Sequence, residues 1–559
     1  MKVLNKISIL VLTLSFSLII VKVFVGLDFT DELQYYGQIL SLLNHERLFA
    51  EDLFIQQFVY IFYLPFLKIF RWLNPDLIGL VLFGRFCLFF TIVINIVLII
   101  KMLSKFSRPS VYFACAFILF AMTDKIFAIS YGSLALILST LIIALYLSQK
   151  HFIPKNLFSA FLCVILCFCH PSFGICLIFV WFGLNLYDKE NGLIYFTVCF
   201  STTASIIFGI LFFSSYLDLE DFLNALNFSS KYNNAIILKI KYDMQILGIY
   251  WLLSTAITFF VNIKRNTLLN LGTILENKSF PLLILTISVS FTLYFWNSFS
   301  SLQSYIFYYI SFILTLTLSP TDTKTRSLFL KLLWAGTFTG TVIAITSGNG
   351  LPAFSQGVVI FTPFLLLILV DQIKASTPIL ARTGLIFTTF ILSVSATWAI
   401  RHPYRDQRLP NLTHELEYGS IFSGLKVSQT KKTAITWLNE SFGGLGIEDG
   451  ESALVIGGHP WIYFGSDLEP STPATFMHFR AKSGAFEIIA EEISGSPAPE
   501  VVILAEQPPP IIADSVHNLL KKNVYKTYEL IPPLDLQKSL HNEIHYKLES
   551  PLIIHRLIK

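Results

Sequence analysis

Apolar runs of about 17 residues or more, the length that crosses a bilayer, recur through the first 400 positions of this 559-residue chain. No soluble fold accommodates so many. Charged residues make up 14% of the chain and hydrophobic ones 54%, whereas soluble domains are roughly a quarter charged. The pattern predicts a polytopic helical membrane protein. The net charge is only +4, and Lys and Arg collect in short loops, which reads as membrane topology and not as nucleic-acid binding.

Met-Lys-Val-Leu-Asn-Lys is followed by an apolar run from Ile7 to Leu27. The run is too long for a signal sequence and no small-x-small site follows, so an uncleaved first span with a cytoplasmic N-terminus is expected. Further spans are expected at 77–102, 109–122, 126–147, 156–169, 172–187, 192–213, 245–262, 280–297, 302–318, 327–346, 355–371 and 378–400.

The stretch 53–73 is long enough to span, but spanning would turn Lys101, Lys105, Arg108, Lys150, Lys155, Lys264, Arg265, Lys324 and Arg326 outward. Laid in the outer interface as an amphipathic helix, it keeps all four basic loops inside. Gln56, Gln57, Pro65, Lys68 and Arg71 suit that position. The expected layout is about thirteen spans over 1–400, with 27–76 as a large first outer loop.

Spans 109–122 and 156–169 are short, and the second ends at Cys169-His170-Pro171-Ser172, where a hairpin within the outer half of the membrane is expected. The seven Cys have no hard ligands arrayed around them and read as small core residues.

From Arg401 the apolar runs shorten and Pro, Gly and charged residues appear. Strands are expected at Ser452–Gly458, Glu500–Ala505 and Pro551–Ile558, and helices at Thr430–Glu440 and Ile512–Lys522. Their alternation predicts a small α/β domain over 401–559, on the outer side. Gly457-Gly458-His459-Pro460 has neither dinucleotide nor Walker spacing.

Two acidic pairs, Asp31-Glu32 and Glu51-Asp52, lie in the first outer loop. Carboxylates cost a few kcal/mol or more in hydrocarbon, roughly 2.5–3.5 at a span's centre on insertion scales. Kept at a water–lipid boundary, they suit chemistry on a substrate with a sugar head and a lipid tail. The plainer alternatives are a solvated pair or a helix cap at Asp31-Glu32, and N-capping of the 53–73 helix by Asp52.

The layout resembles the GT-C glycosyltransferases, and within them the bacterial lipid A aminoarabinose transferases and protein O-mannosyltransferase-like enzymes. The resemblance rests on Asp31-Glu32-Leu33-Gln34-Tyr35-Tyr36 opening the first outer loop, and on 53–73 followed by Gly84-Arg85-Phe86. Where the aminoarabinose transferases carry Glu-Lys-Pro, this chain has Glu51-Asp52-Leu53, so the family Lys is missing.

The resemblance implies a multi-pass enzyme of a bacterial inner membrane with a periplasmic C-terminal domain. It would move a sugar, with inversion, from a polyprenyl-phosphate donor to a glycan, lipid or protein acceptor of the cell envelope. Asp31 would be the general base and Glu32 would orient the acceptor or the loop. Arg85, His170, Lys231, Tyr305 and Arg401 are the candidates for the donor phosphate, against structural readings as an ion pair, a helix-turn hydrogen bond or an interfacial belt. Glu51 and Asp52, with Asp31, would hold a divalent cation such as Mg or Mn. A lipid-linked glycan transporter or a noncatalytic scaffold is the alternative; related halves or midplane charges, which mark transporters, are not evident.

Overall fold

The computed structural model describes residues 2–45, 47–49, 57–123, 127–148, 155–188, 192–214, 216–233, 323–346, 354–372, 400, 406–416, 420–472, 485–533, 535, 536, 538 and 551–558. The expected spans 245–262, 280–297, 302–318 and all but the last residue of 378–400 lie outside these.

Lys2–Phe24 forms α1, a run free of Gly and Pro whose hydroxyls are satisfied within the helix: Ser8 and Ser15 donate to the carbonyls of Asn5 and Leu12 at 2.9 and 2.8 Å. Three described helices are long and apolar enough to cross a bilayer: α1 through Leu4–Phe24, α5 (Leu80–Met102), and α12 (Thr323–Thr346) through Ser327–Thr346. Between α1 and α5 lie α2 (Asp31–His45), α3 (Phe58–Ile61) and α4 (Leu64–Leu73). After α5 come α6 (Arg108–Thr123), α7 (Tyr131–Leu147), α8 (Lys155–Cys169), α9 (Pro171–Asp188), α10 (Gly192–Phe213) and α11 (Leu219–Asn233). α6, α7 and α8 are apolar but shorter, at 16, 17 and 15 residues, and α9 and α10 are largely apolar as well.

Two expected continuous helices are broken. The stretch 53–73 is described from Gln57, and there α3 and α4 are separated at Phe62–Tyr63, with Pro65 in the first turn of α4. The run 355–371 divides into α13 (Phe354–Val358) and α14 (Thr362–Gln372). Pro363 sits at the second position of α14, and a proline fits a helix start while disfavouring helical backbone before it. α4 buries Leu64 and Leu67 and exposes Phe66, Ile69, Trp72 and Leu73.

The chain after 406 opens with a short antiparallel pair, β1 (His414–Glu415) and β2 (Lys426–Val427), followed by α15 (Gln429–Gly444). A five-stranded sheet follows, built from β3 (Ser452–Ile456), β4 (Glu469–Pro470), β5 (Val501–Leu504), β6 (Tyr525–Leu530) and β7 (Leu552–Leu557) in the order β4-β3-β5-β7-β6. β3 runs parallel to β4 and β5, while β7 is antiparallel to β5 and β6.

The near-continuous apolar strands β3 and β5 signal burial on both faces. One face, with Leu454, Ile456 and Val502, packs on α17 (Ala485–Gly495) and α18 (Pro510–Lys522). The other, with Ala453, Val455 and Ile503, joins a continuous apolar core shared with α15, α16 (Trp461–Gly465) and the helical region. The two strands, two helices and closing strand expected of an α/β domain are all present, and β1, β2, β4, β6, α16 and α17 are additional.

Candidate functional site

Asp31 opens α2, and the turn before it is built by residue 28. The Asp28 carboxylate accepts from the backbone N–H groups of Asp31 (2.9 Å), Glu32 (3.3 Å) and Thr30 (3.3 Å), and from the Thr30 hydroxyl (2.8 Å). Glu32 answers by accepting the Asp28 N–H at 3.0 Å. This reciprocal cap satisfies orphan donors at the start of the helix.

Arg85, a candidate for the donor phosphate or for a structural ion pair, is paired with Glu32 and has all its donors engaged. Its Nε and Nη2 donate to the two Glu32 carboxylate oxygens at 2.9 Å each, Nη2 also reaches the Gly26 carbonyl at 2.7 Å, and Nη1 reaches the carbonyls of Val25, Val23 and Lys22 at 3.2–3.3 Å. Arg85 is 2% and Glu32 1% exposed. Every guanidinium donor thus goes to holding the end of α1 and the start of α2. Glu32 thereby ties the turn before α2 to α5. Burial pushes its carboxyl above the usual carboxylate range, against the pull of Arg85 and the Asp28 N–H.

The C-terminal region holds the opposite side of this turn. The Gly26 N–H donates to the Lys426 carbonyl at 2.8 Å, and the Leu27 N–H to Asp406 Oδ2 at 2.9 Å. Lys431 Nζ donates to the Leu27 carbonyl at 2.6 Å and pairs with Asp406 Oδ1 at 3.1 Å. Phe29 stacks on Trp461 with ring centroids 5.2 Å apart. Gly26 sits at φ +80°, and a Cβ there would lie 2.9 Å from the Asp406 carboxylate, so glycine fits both the backbone and the space. The carbonyls of Ser420 and Ile421 accept N–H groups of Gly79 and Val81 at the head of α5.

Asp31 itself is half-buried. One turn along α2 from it, Tyr35 meets Tyr131 edge-on at 5.9 Å, Tyr131 meets His170 at 5.2 Å, and His170 meets Phe173 at 4.6 Å. His170 occupies the α8–α9 junction, where its N–H closes α8 on the Leu166 carbonyl and its carbonyl starts α9 by accepting from Gly174. Beside it opens an apolar cavity of about 250 Å³, lined by Phe58, Cys167, Phe168, Pro171, Phe200 and Phe222 among others. Arg47 pairs with Asp218 and Asp221 and so ties the chain after α2 to the start of α11. Lys231 lies on the last turn of α11. Glu51, Asp52, Tyr305 and Arg401 fall outside the described residues.

Among the described residues no three His, Cys, Asp or Glu side chains gather as a metal site. Of the three residues expected to hold a divalent cation, Asp31 is the described one; Asp28 and Glu32 already spend their oxygens on the cap and on Arg85.

The architecture is that of a helical membrane-type protein carrying a C-terminal sheet region. No protein-family profile, characterised protein or solved structure matches the chain.

Asp28, Tyr131, Asp406, Lys431 and Trp461 were not singled out by the sequence. Asp28 carried a signal, since an Asp just ahead of an amphipathic helix is a favoured capping residue. The partnership of Lys431 and Asp406 with residue 27 carried none, because it joins positions about four hundred residues apart.

Proposed function

We propose that the chain is a membrane glycosyltransferase of GT-C type, with about thirteen spans, acting on the outer face of a bacterial inner membrane on a polyprenyl-phosphate sugar. The observation that carries this reading is the path from Asp31 through Tyr35 and Tyr131 to His170 and the apolar cavity beside it. A carboxylate, an aromatic track and an apolar slot in that order fit the three parts of such a substrate: reacting centre, sugar ring and isoprenoid tail.

Asp31 accepts the proton of an acceptor hydroxyl as that oxygen attacks the anomeric carbon, and the polyprenyl phosphate departs with the electron pair of the broken C–O bond. The acceptor belongs to the cell-envelope glycans, lipids or proteins. With Arg85 committed to Glu32, the leaving phosphate falls to His170, Lys231, Tyr305 and Arg401. A divalent cation on Asp31, Glu51 and Asp52 would supply charge neutralisation of that phosphate.

The test is transfer from a panel of radiolabelled polyprenyl-phosphate sugars to a crude envelope acceptor fraction, with and without chelator. Asp31→Asn is expected to lower kcat by about two to four orders of magnitude, in line with loss of a positioned base, while eluting as folded protein. No turnover of any donor by folded wild type overturns the reading and favours a transporter or scaffold.

A further inference from the structure

We propose that Lys431 and Asp406 are positioning residues for the acidic turn, so that the C-terminal region sets the placement of Asp31. The kinetic arm of the inference rests on the transferase reading above; the structural arm does not.

The Lys431 and Asp406 side chains are 0% and 2% exposed. A charged pair so deeply desolvated gives back in attraction little more than it costs to bury, and an apolar pair of similar volume would stabilise the fold as well or better. Its distinctive contribution is directional. Lys431 Nζ donates to the Leu27 carbonyl at 2.6 Å, Asp406 accepts the Leu27 N–H at 2.9 Å, and the 3.1 Å contact between the two charges closes the loop. Both polar groups of one backbone residue are thereby fixed by one ion pair.

The neighbouring positions are held to match. Gly26 N–H bonds to the Lys426 carbonyl, and the Phe29 ring stacks on Trp461 and carries the Lys431 ammonium 5.5 Å from its centroid. Asp28 follows Leu27 directly and its carboxylate carries the Asp31 N–H. A displacement of Leu27 therefore passes through one peptide unit and one hydrogen bond to Asp31. On the far side, Arg85 anchors Glu32 and the Gly26 carbonyl to α5. The turn is gripped from the helical region and from the C-terminal region at once, and Lys431–Asp406 is the second grip.

The experiment uses the full-length protein with Lys431→Met and Asp406→Leu combined, so that neither charge is left buried alone. Hydrogen exchange of peptides spanning 26–34 is expected to rise about tenfold or more, with β3 and the middle of α5 unchanged. In the transfer assay kcat is expected to fall about 10- to 100-fold, the scale of a small misplacement of a reacting group, with KM for the donor within about twofold. Lys431→Arg, which keeps the cation, is expected to recover part of kcat.

Should the double variant misfold, Lys431→Gln with Asp406→Leu is read in the same way, since it buries no charge and still removes the ion pair and the acceptor of the Leu27 N–H. Unchanged exchange at 26–34 overturns the proposal whether or not the wild type turns over a donor. Raised exchange there with an unchanged kcat also overturns it, because the grip would then be structural alone. A wild type inactive on every donor sinks the transferase reading, and exchange still decides the grip.

Discussion

Removing the Arg85 guanidinium would strand a buried Glu32 carboxylate, and a buried charge without its partner is among the most destabilising lesions a fold sustains. Arg85→Ala is expected to cost about 3–5 kcal/mol, whereas Arg85→Met combined with Glu32→Gln costs distinctly less than Arg85→Ala. Thermal inactivation of the detergent-solubilised variants checks both; equal losses would mean that the pair contributes no coupling. Next to Arg85, Gly84 makes room for a neighbour: a Cβ there would lie 2.5 Å from Tyr36 Oη, which donates to the Val81 carbonyl at 2.9 Å. Gly84→Ala is expected to destabilise by about 1–3 kcal/mol through overpacking, despite an intrinsic helix gain of about 1 kcal/mol. Adding Tyr36→Phe should recover part of the loss, and a stabilised Gly84→Ala would sink the argument. At this scale the sequence was half legible. It singled out Asp31, Glu32 and Arg85 because charges near a lipid boundary are rare, but charge chemistry alone did not tell a phosphate ligand from an ion-pair partner.

Elements were legible where a local pattern decides them and not where a junction does. The strands at Ser452–Ile456 and Val501–Leu504 and the helix at Pro510–Lys522 follow from unbroken apolar runs and helical spacing. The division of 53–73 into α3 and α4, and of 355–371 into α13 and α14, follows from prolines whose effect depends on which turn they occupy. β6 escaped notice because its Tyr525-Lys-Thr-Tyr-Glu-Leu530 is a half-exposed edge strand lacking a hydrophobic run. Beside it, β7 carries His555, which faces Thr527 at 2.9 Å and whose pKa is lowered by burial. A histidine with its folded pKa below the unfolded value of about 6.5 leaves the unfolded state binding the proton first. Its contribution to stability is therefore present above that pH and is lost as pH falls through it toward the folded pKa. Hydrogen exchange of the β5 and β7 peptides is expected to be faster at pH 5.5 than at pH 7.5 after correction for intrinsic rates. His555→Phe should flatten the difference, and an unaltered difference in that variant would assign the pH effect to another group.

At the scale of the molecule, the boundary near residue 401 marks a change of composition but not a break in packing. One contiguous apolar cluster runs from Ile19 and Val23 of α1 through Tyr36 of α2 and Leu88 of α5 to Trp461, Val455 and Ile554 of the sheet region. Composition could not reveal this, since Phe29 and Trp461 lie in distant parts of the chain and meet only when the fold stacks them. A shared core makes the stability of the two regions interdependent, which separately cored domains joined by a linker would not show. Trp461 is 1% exposed, and Trp461→Ala deletes the stack on Phe29 together with a large core side chain. A loss of about 3–5 kcal/mol is expected. It should appear in both regions together: one thermal transition, shifted down, by a reporter on α2 and by a reporter on β3 alike. Two separated transitions, with the α2 reporter unshifted, would mean that the sheet region melts by itself and that the joint core contributes little to the helical region. Coincident shifts would make residues 26–29 part of the C-terminal fold as much as of the turn between α1 and α2, because the same side chains close both.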